Sequence, residues 1–220
     1  MRVKICGITR PEDARAVQRA GADALGLVLW KGSPRCVTPD QARLIVESLE
    51  SSASGAPEPT GVFVNAGRDE LLETMAAARL RRAQLHGDET PGYAASLPIA
   101  WYRVFAVAGQ ADPLALASQI AQYDAESFML DAGSGSMPGG TGTTLDWRIA
   151  AKISMHLALN AAGGRRRLIL AGGLTPDNVA SAIRAVRPWQ VDVSSGVESA
   201  PGIKDPGRIA QFIQAARGAA

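Results

Sequence analysis

The run "RVKICGITRPED", residues 2 to 13, sets one cysteine between an apolar stretch and the opening of a helix-like segment. Four readings fit Cys6: a small core residue, half of a disulfide, a metal ligand or a catalytic base. Asp131, closing the apolar run "SFMLDA", is a carboxylate in a place where burial demands a partner. A thiol and a carboxylate facing one ligand can divide proton transfer between them, provided one starts protonated and the other does not. Two turns, "AGGLTPDN" and "SSGVE", follow consecutive apolar runs. Glycines there let backbone N–H groups close around an anion, and a helix N-terminus adds positive potential. Neither turn has a lysine beside it in the chain, so a phosphate held there is expected to rest on backbone groups. "GGTGTT", residues 139 to 144, contains Gly140 and lacks the Gly-Lys-Ser/Thr ending of a P-loop; it is expected to fold over a ligand.

Those residues need a scaffold that points them at one another. Short apolar runs alternate with longer helical patterns along the chain: "VKICGI" with "RPEDARAVQRAG", "ALGLVLW" with "TPDQARLIVESLE", "TGVFVN" with "GRDELLETMAAARL", and so on to "QVDVSSG" with "DPGRIAQFIQAARG". Pro11 and Pro39 open helices, Thr38 can cap one, and Gly21 stops one. Strand then helix, about eight times, implies a parallel sheet. Several strands are apolar almost without alternation, as strands buried on both faces are. The expected fold is therefore α/β, a single-domain (β/α)8 TIM barrel over residues 1–220, with an open doubly wound sheet as the rival. "SSASGAPEP", residues 51 to 59, reads as a loop.

The bulk numbers exclude several classes. At 220 residues the chain can bury a core without disulfide staples. Hydrophobic residues make up 46%, and a net charge of +2 gives no signal for a nucleic-acid partner. The basic run Arg165-Arg166-Arg167 reads as a solvated edge. No apolar stretch approaches the roughly 18 residues of a membrane span, and Met1 leads almost directly into a strand-like run, so neither a membrane partner nor a signal peptide is expected. Two cysteines make no disulfide framework, and reduced thiols in a cytoplasm are the expectation. A bridge between Cys6 and Cys36 is geometrically conceivable, but that compartment argues against it. Zinc needs about four suitably spaced ligands; CxxC and HExxH are both lacking, so no metal is expected.

In a TIM barrel the strand ends facing the βα loops build the active site. The polar residues expected there are Cys6, Ser33 to Arg35, Asn65, Gln84, His86, Arg103, Asp131, Gly172, Gly173, Asp192 and Ser194 to Gly196. His86 lines the site or supports it; Cys36 reads as a bystander.

Taken in order, "KICGIT", "SPRCV", "GVFVN", "QLHGDE", "MLDAGSG", "LAGGLTPDNV" and "VDVSSGVE" with "GIKD" resemble phosphoribosylanthranilate isomerases of tryptophan biosynthesis, from Lys4 to Asp205. The resemblance implies a TIM barrel without a cofactor. It implies an Amadori rearrangement of N-(5-phosphoribosyl)anthranilate to 1-(2-carboxyphenylamino)-1-deoxyribulose 5-phosphate, in a monomer or homodimer. It further implies Cys6 as general base, Asp131 as general acid, Arg35 on the anthranilate carboxylate and Asp192 at the sugar hydroxyls. Gly173, Ser195 and Gly196 resemble the phosphate-binding turns. The departures are Leu145 before "DW" and a long "NAAGGRRR" stretch, neither of which touches the chemistry. Two rivals remain: a barrel isomerase of histidine biosynthesis, which is expected to carry a carboxylate where Cys6 stands, and a sugar-phosphate-binding barrel without catalysis.

Overall fold

The structure is a computed structural model that describes residues 1–49, 55–107, 112–133, 146–159 and 166–219. Strands β1 (Arg2–Ile5), β2 (Ala24–Val28), β3 (Glu58–Phe63), β4 (Arg82–Leu85), β5 (Trp101–Ala106), β6 (Ser127–Asp131), β7 (Arg167–Leu170) and β8 (Gln190–Val193) close into a barrel in chain order. Every neighbouring pair is parallel, and β8 closes on β1 with Asp192 beside Lys4, which rules out an open sheet. Helices α1 (Pro11–Arg19), α2 (Pro39–Glu47), α3 (Arg68–Ala77), α4 (Pro91–Ala95), α5 (Pro113–Ala121), α6 (Trp147–Leu159), α7 (Val179–Val186) and α8 (Pro206–Gly218) alternate with them. A single 3₁₀ turn at Ser195–Val197 and a small hairpin, β9 (Glu198–Ala200) and β10 (Ile203–Lys204), follow β8.

Local chemistry starts the helices. Thr38, Thr90, Asp112 and Asp205 each accept a hydrogen bond from the first turn, and each is followed by a proline at the first helical position. Proline there loses no intrahelical bond and arrives with a helical φ. At α2 the cap is reciprocal: Gln41 N–H donates to Thr38 Oγ1 at 3.2 Å, and Thr38 N–H donates to Gln41 Oε1 at 2.8 Å.

The strands explain their own lack of alternation. Val3 and Ile5 join the main core with helix residues such as Val17 and Phe212, whereas Cys6 packs with Val28 and Val62 in a separate cluster. Side chains alternate faces along a strand. One face of β1 therefore meets the helices, and the other, with Lys4 and Cys6, fills the barrel. Tyr102, Val104, Met129, Ile169 and Ala171 form the apolar part of that interior.

One expectation shifts. β3 begins at Glu58, inside the stretch expected as a loop, with Glu58 accepting from Arg82 Nε at 2.7 Å. Pro59 fits because it is near the strand's start, where a missing N–H costs little. The basic run is exposed at Arg167 and half-buried at Arg166, and both arginines also have partners in the fold. Arg166 donates to the Ile120 carbonyl at 2.9 Å, at the end of α5, and Arg167 stacks over Trp189 with its guanidinium 4.9 Å from the ring centre. Arg165 lies outside the described residues.

Candidate active site

A cavity of about 550 Å³, its open mouth included, lies at the C-terminal end of the strands. Cys6, Arg35, Asp131 and Asp192 line it together with Gln84, His86 and Ser194; Val28, Trp30, Val62 and Val64 supply an apolar wall. Four residues that are far apart in the chain thus share one space. Asp131 Oδ1 accepts from the Gly133 N–H at 3.1 Å, so the carboxylate is aimed by its own turn. Both cysteines are free thiols.

Below Cys6 sits a charge that the sequence reading passed over. Lys4 is almost fully buried inside the barrel, with its Nζ 2.9 Å from Asp192 Oδ1 and 2.9 Å from Gln84 Oε1. Burial opposes this ammonium, but attraction from Asp192 and then from Cys6 and Tyr102 outweighs it and holds Lys4 well above the ordinary lysine range. Gly26, next door on β2, makes the room. A Cβ there would stand 2.7 Å from Cys6 Sγ and 3.1 Å from Lys4 Cε. Any side chain at 26 would push on base and cation at once.

Arg35 is anchored. Its Nε and Nη2 donate to Glu198 Oε1 and Oε2 at 2.8 and 2.7 Å. Lys204, buried on β10, also donates to Glu198 Oε1 at 2.8 Å and to the Ser194 carbonyl at 3.1 Å. A lysine therefore does stand beside the β8 turn, delivered by the hairpin and not by the local sequence. Burial pushes the Glu198 carboxyl up, but Arg35 and Lys204 more than offset this and leave it below the usual range. Guanidinium carries five N–H donors, and among the described residues only those on the Nε–Nη2 edge are taken.

The two glycine turns touch each other. Gly172 and Gly173 have φ of +89° and +66°, conformations that favour glycine. Asn178 ties the first turn by donating to the Gly173 carbonyl at 2.9 Å and accepting from Thr175 N–H at 2.8 Å. A Cβ on Gly196 would collide with the Leu174 carbonyl oxygen of that first turn. Gly173, Ser195 and Gly196 do not themselves line the cavity; Ser194, their neighbour, does.

Arg103 and Asn65 are not among the residues that line the cavity. Arg103 points away from the barrel interior and donates to the Glu89 and Gly87 carbonyls at 2.9 and 2.8 Å. Asn65 Oδ1 accepts from the Asp88 N–H at 2.6 Å, so both clamp the loop after β4. Gly140 lies outside the described residues. Among the described residues, no group of three or more His, Cys, Asp or Glu is arranged to hold a metal ion. None of the described helices is long and apolar enough to cross a membrane.

Residues 3–215 match the family described as N-(5'phosphoribosyl)anthranilate (PRA) isomerase. A protein of Trichlorobacter lovleyi named N-(5'-phosphoribosyl)anthranilate isomerase is 44% identical over 217 residues, covering 99% of this chain and 98% of that one. The crystal structure of phosphoribosyl anthranilate isomerase from Thermotoga maritima superposes with a TM-score of 0.85 at 35% identity, covering 99% of both chains. A further structure of such an isomerase, in complex with reduced 1-(o-carboxyphenylamino)-1-deoxyribulose 5-phosphate, gives a TM-score of 0.82 at 34% identity, again over 99% of both. The chain belongs to the phosphoribosylanthranilate isomerase family.

Opposing influences act on the Cys6 thiol. Burial pushes the Cys6 thiol up; Lys4 pulls it down, Asp192 pushes it up, and Lys204 pulls it down. The balance leaves it above the ordinary thiol value. The depth of Cys6, which sets this balance, is a property of the closed barrel and not of "KICGIT".

Proposed function

We propose that this cavity performs the family's isomerisation with Cys6 as base, Asp131 as acid, Arg35 on the carboxylate, Asp192 near the sugar hydroxyls and the two glycine turns on the phosphate. The enzyme converts N-(5-phosphoribosyl)anthranilate to 1-(2-carboxyphenylamino)-1-deoxyribulose 5-phosphate, one step of tryptophan biosynthesis. The observation that carries the residue assignment is the convergence of Cys6 and Asp131 on one cavity. Asp131 gives a proton to the ribose ring oxygen as the C1–O bond breaks, and the anilino nitrogen's lone pair forms the iminium. Cys6 then takes the C2 proton, and those electrons quench the iminium to an enolamine. Protonation at C1 and loss of the enol proton give the aminoketose. The iminium is itself a cation beside the thiol, and a nearby cation favours thiolate. Ring opening thus supplies what the resting site withholds.

Loss of substrate fluorescence on adding the purified chain to freshly made phosphoribosylanthranilate tests the reading; a folded sample without turnover would refute it. Arg35→Lys is expected to lower kcat/KM by roughly 10- to 100-fold, because one ammonium cannot keep Glu198 and also present a planar fork to the substrate. Steady-state kinetics check this, and unchanged values would remove Arg35 from the site.

The phosphate assignment makes its own prediction. Gly196→Ala forces the β8 turn away from Leu174. Bonds from N–H groups to a charged phosphate contribute about 1.5–3 kcal/mol each, so KM is expected to rise roughly 10- to 100-fold with a smaller change in kcat. A wild-type KM in this variant would place the phosphate elsewhere.

A further inference from the structure

His86 stands in the cavity wall with no assigned part. It follows β4, where Gln84 and His86 alternate with Leu85 and so share the barrel's inner side. Gln84 Nε2 and His86 Nδ1 are 3.1 Å apart. Which atom donates depends on the orientation of the Gln84 amide, an assignment that has to come from the surrounding bonds. Here Lys4 decides it. An ammonium has three donors and no acceptor, so the Gln84 atom 2.9 Å from Lys4 Nζ is the carbonyl oxygen. The Tyr102 hydroxyl, 2.9 Å away, donates to the same oxygen. Burial pushes the Tyr102 phenol up, so that donor keeps its hydrogen. The Gln84 nitrogen must then face His86, and an amide NH₂ can only donate.

We propose that Gln84, oriented by Lys4, fixes His86 as the neutral tautomer with its proton on Nε2, so that His86 serves the cavity as a hydrogen-bond donor and not as a base. Nδ1 needs its lone pair to accept from Gln84. An imidazolium would set N–H against N–H. The charges around the ring agree. Burial lowers the affinity of His86 for a second proton; Asp131 of β6 raises it, Lys4 of β1 lowers it, and Asp192 of β8 and Glu89 of the β4 loop raise it, with a net lowering. Nε2–H is then the ring's remaining polar atom for the cavity that Cys6 and Asp131 share. A sugar oxygen that gains charge during ring opening or enolisation is the acceptor that suits it. Gln84 and Lys4 act through His86 and are positioning residues.

The tautomer rests on geometry alone, whereas the donor's part in turnover rests on the isomerase reading above. Nitrogen NMR of the imidazoles reads the first. The chain has two histidines, so His86→Gln assigns the signals by difference. A lone-pair-type Nδ1 and an N–H-type Nε2 are expected for His86 near neutral pH. In Gln84→Glu the carboxylate still accepts from Lys4 and Tyr102 but has no proton to give, so the His86 proton is expected to move to Nδ1 or the ring to become charged. A wild-type His86 protonated on Nδ1, or on both nitrogens, overturns the proposal. Kinetics read the second. His86→Ala should lose roughly 3- to 10-fold in kcat, the scale of one neutral hydrogen bond. His86→Gln, whose amide nitrogen can reach the Nε2 position, should recover most of it. His86→Ala turning over like wild type, or His86→Gln no better than His86→Ala, removes the donor role. Wild-type protein with the expected tautomer and no isomerase turnover would instead fault the isomerase reading.

Discussion

Cys6→Ser and Asp131→Asn are each expected to lose about 10²–10⁴-fold in kcat/KM while remaining folded. A serine hydroxyl is far too weak a base near neutral pH to take the C2 proton. An asparagine amide cannot give the proton that ring opening needs. Neither change removes much buried volume. Cys6 packs with Val28 and Val62, where serine fits, and asparagine oxygen can still accept from the Gly133 N–H that aims Asp131. Circular dichroism and product-analogue binding should therefore match wild type. Because burial holds the Cys6 thiol above its ordinary value, its alkylation by iodoacetamide should keep accelerating with pH past the range of an exposed cysteine. An ordinary or depressed midpoint would contradict the resting thiol described here.

Lys4→Met is the second large effect, and it acts mainly on stability. The change leaves Asp192 buried without its cation 2.9 Å away. Breaking a buried pair by removing one partner costs about 3–5 kcal/mol. Whole domains are stable by only about 5–15 kcal/mol, so denaturant unfolding should show the loss clearly. Adding Asp192→Asn removes the stranded charge and should restore part of the stability, which separates the charge effect from lost packing. The pH sense follows from Lys4 being held above the ordinary lysine value. Its contribution is complete at neutral pH, up to about 10.4, and is lost only as pH climbs through the higher folded value. The same variant should push the Cys6 thiol further up, since Lys4 is the strongest influence lowering it. A cost below about 1 kcal/mol, on the scale of exposed pairs, would show that the pair does not support the barrel.

The scaffold was legible because its signals are local. Thr38 before Pro39, and Asp205 before Pro206, announce helix starts within three residues, and uninterrupted apolar strands announce two buried faces. Asp131 drew notice because a carboxylate closing an apolar strand needs a partner, whereas a thiol suits an apolar core, and Cys6 was singled out by the ordered resemblance around it. Lys4 was not, because one charged residue in a short strand gives no hint that it turns into the barrel to reach Gln84, 80 residues on, and Asp192, 188 residues on. Glu198 and Lys204 were missed for the same reason: a hairpin carries Glu198 to Arg35 across 163 positions and sets Lys204 on the same carboxylate. Arg103 misled in the opposite direction. It sits on a barrel strand, but between inward-facing Tyr102 and Val104, so the pleat turns it outward to clamp a loop.

The most direct test of the Cys6–Asp131 assignment is a single turnover with enzyme in excess over phosphoribosylanthranilate, followed by loss of substrate fluorescence. Substrate saturation and product release then drop out, and the trace reports ring opening and C2 proton removal alone. Wild type should consume the substrate in one rapid phase, with Cys6→Ser and Asp131→Asn slower by about 10²-fold or more. A Cys6→Ser trace within about twofold of wild type, from a sample that folds and binds product analogue, would return Cys6 to the barrel's packing and contradict the account.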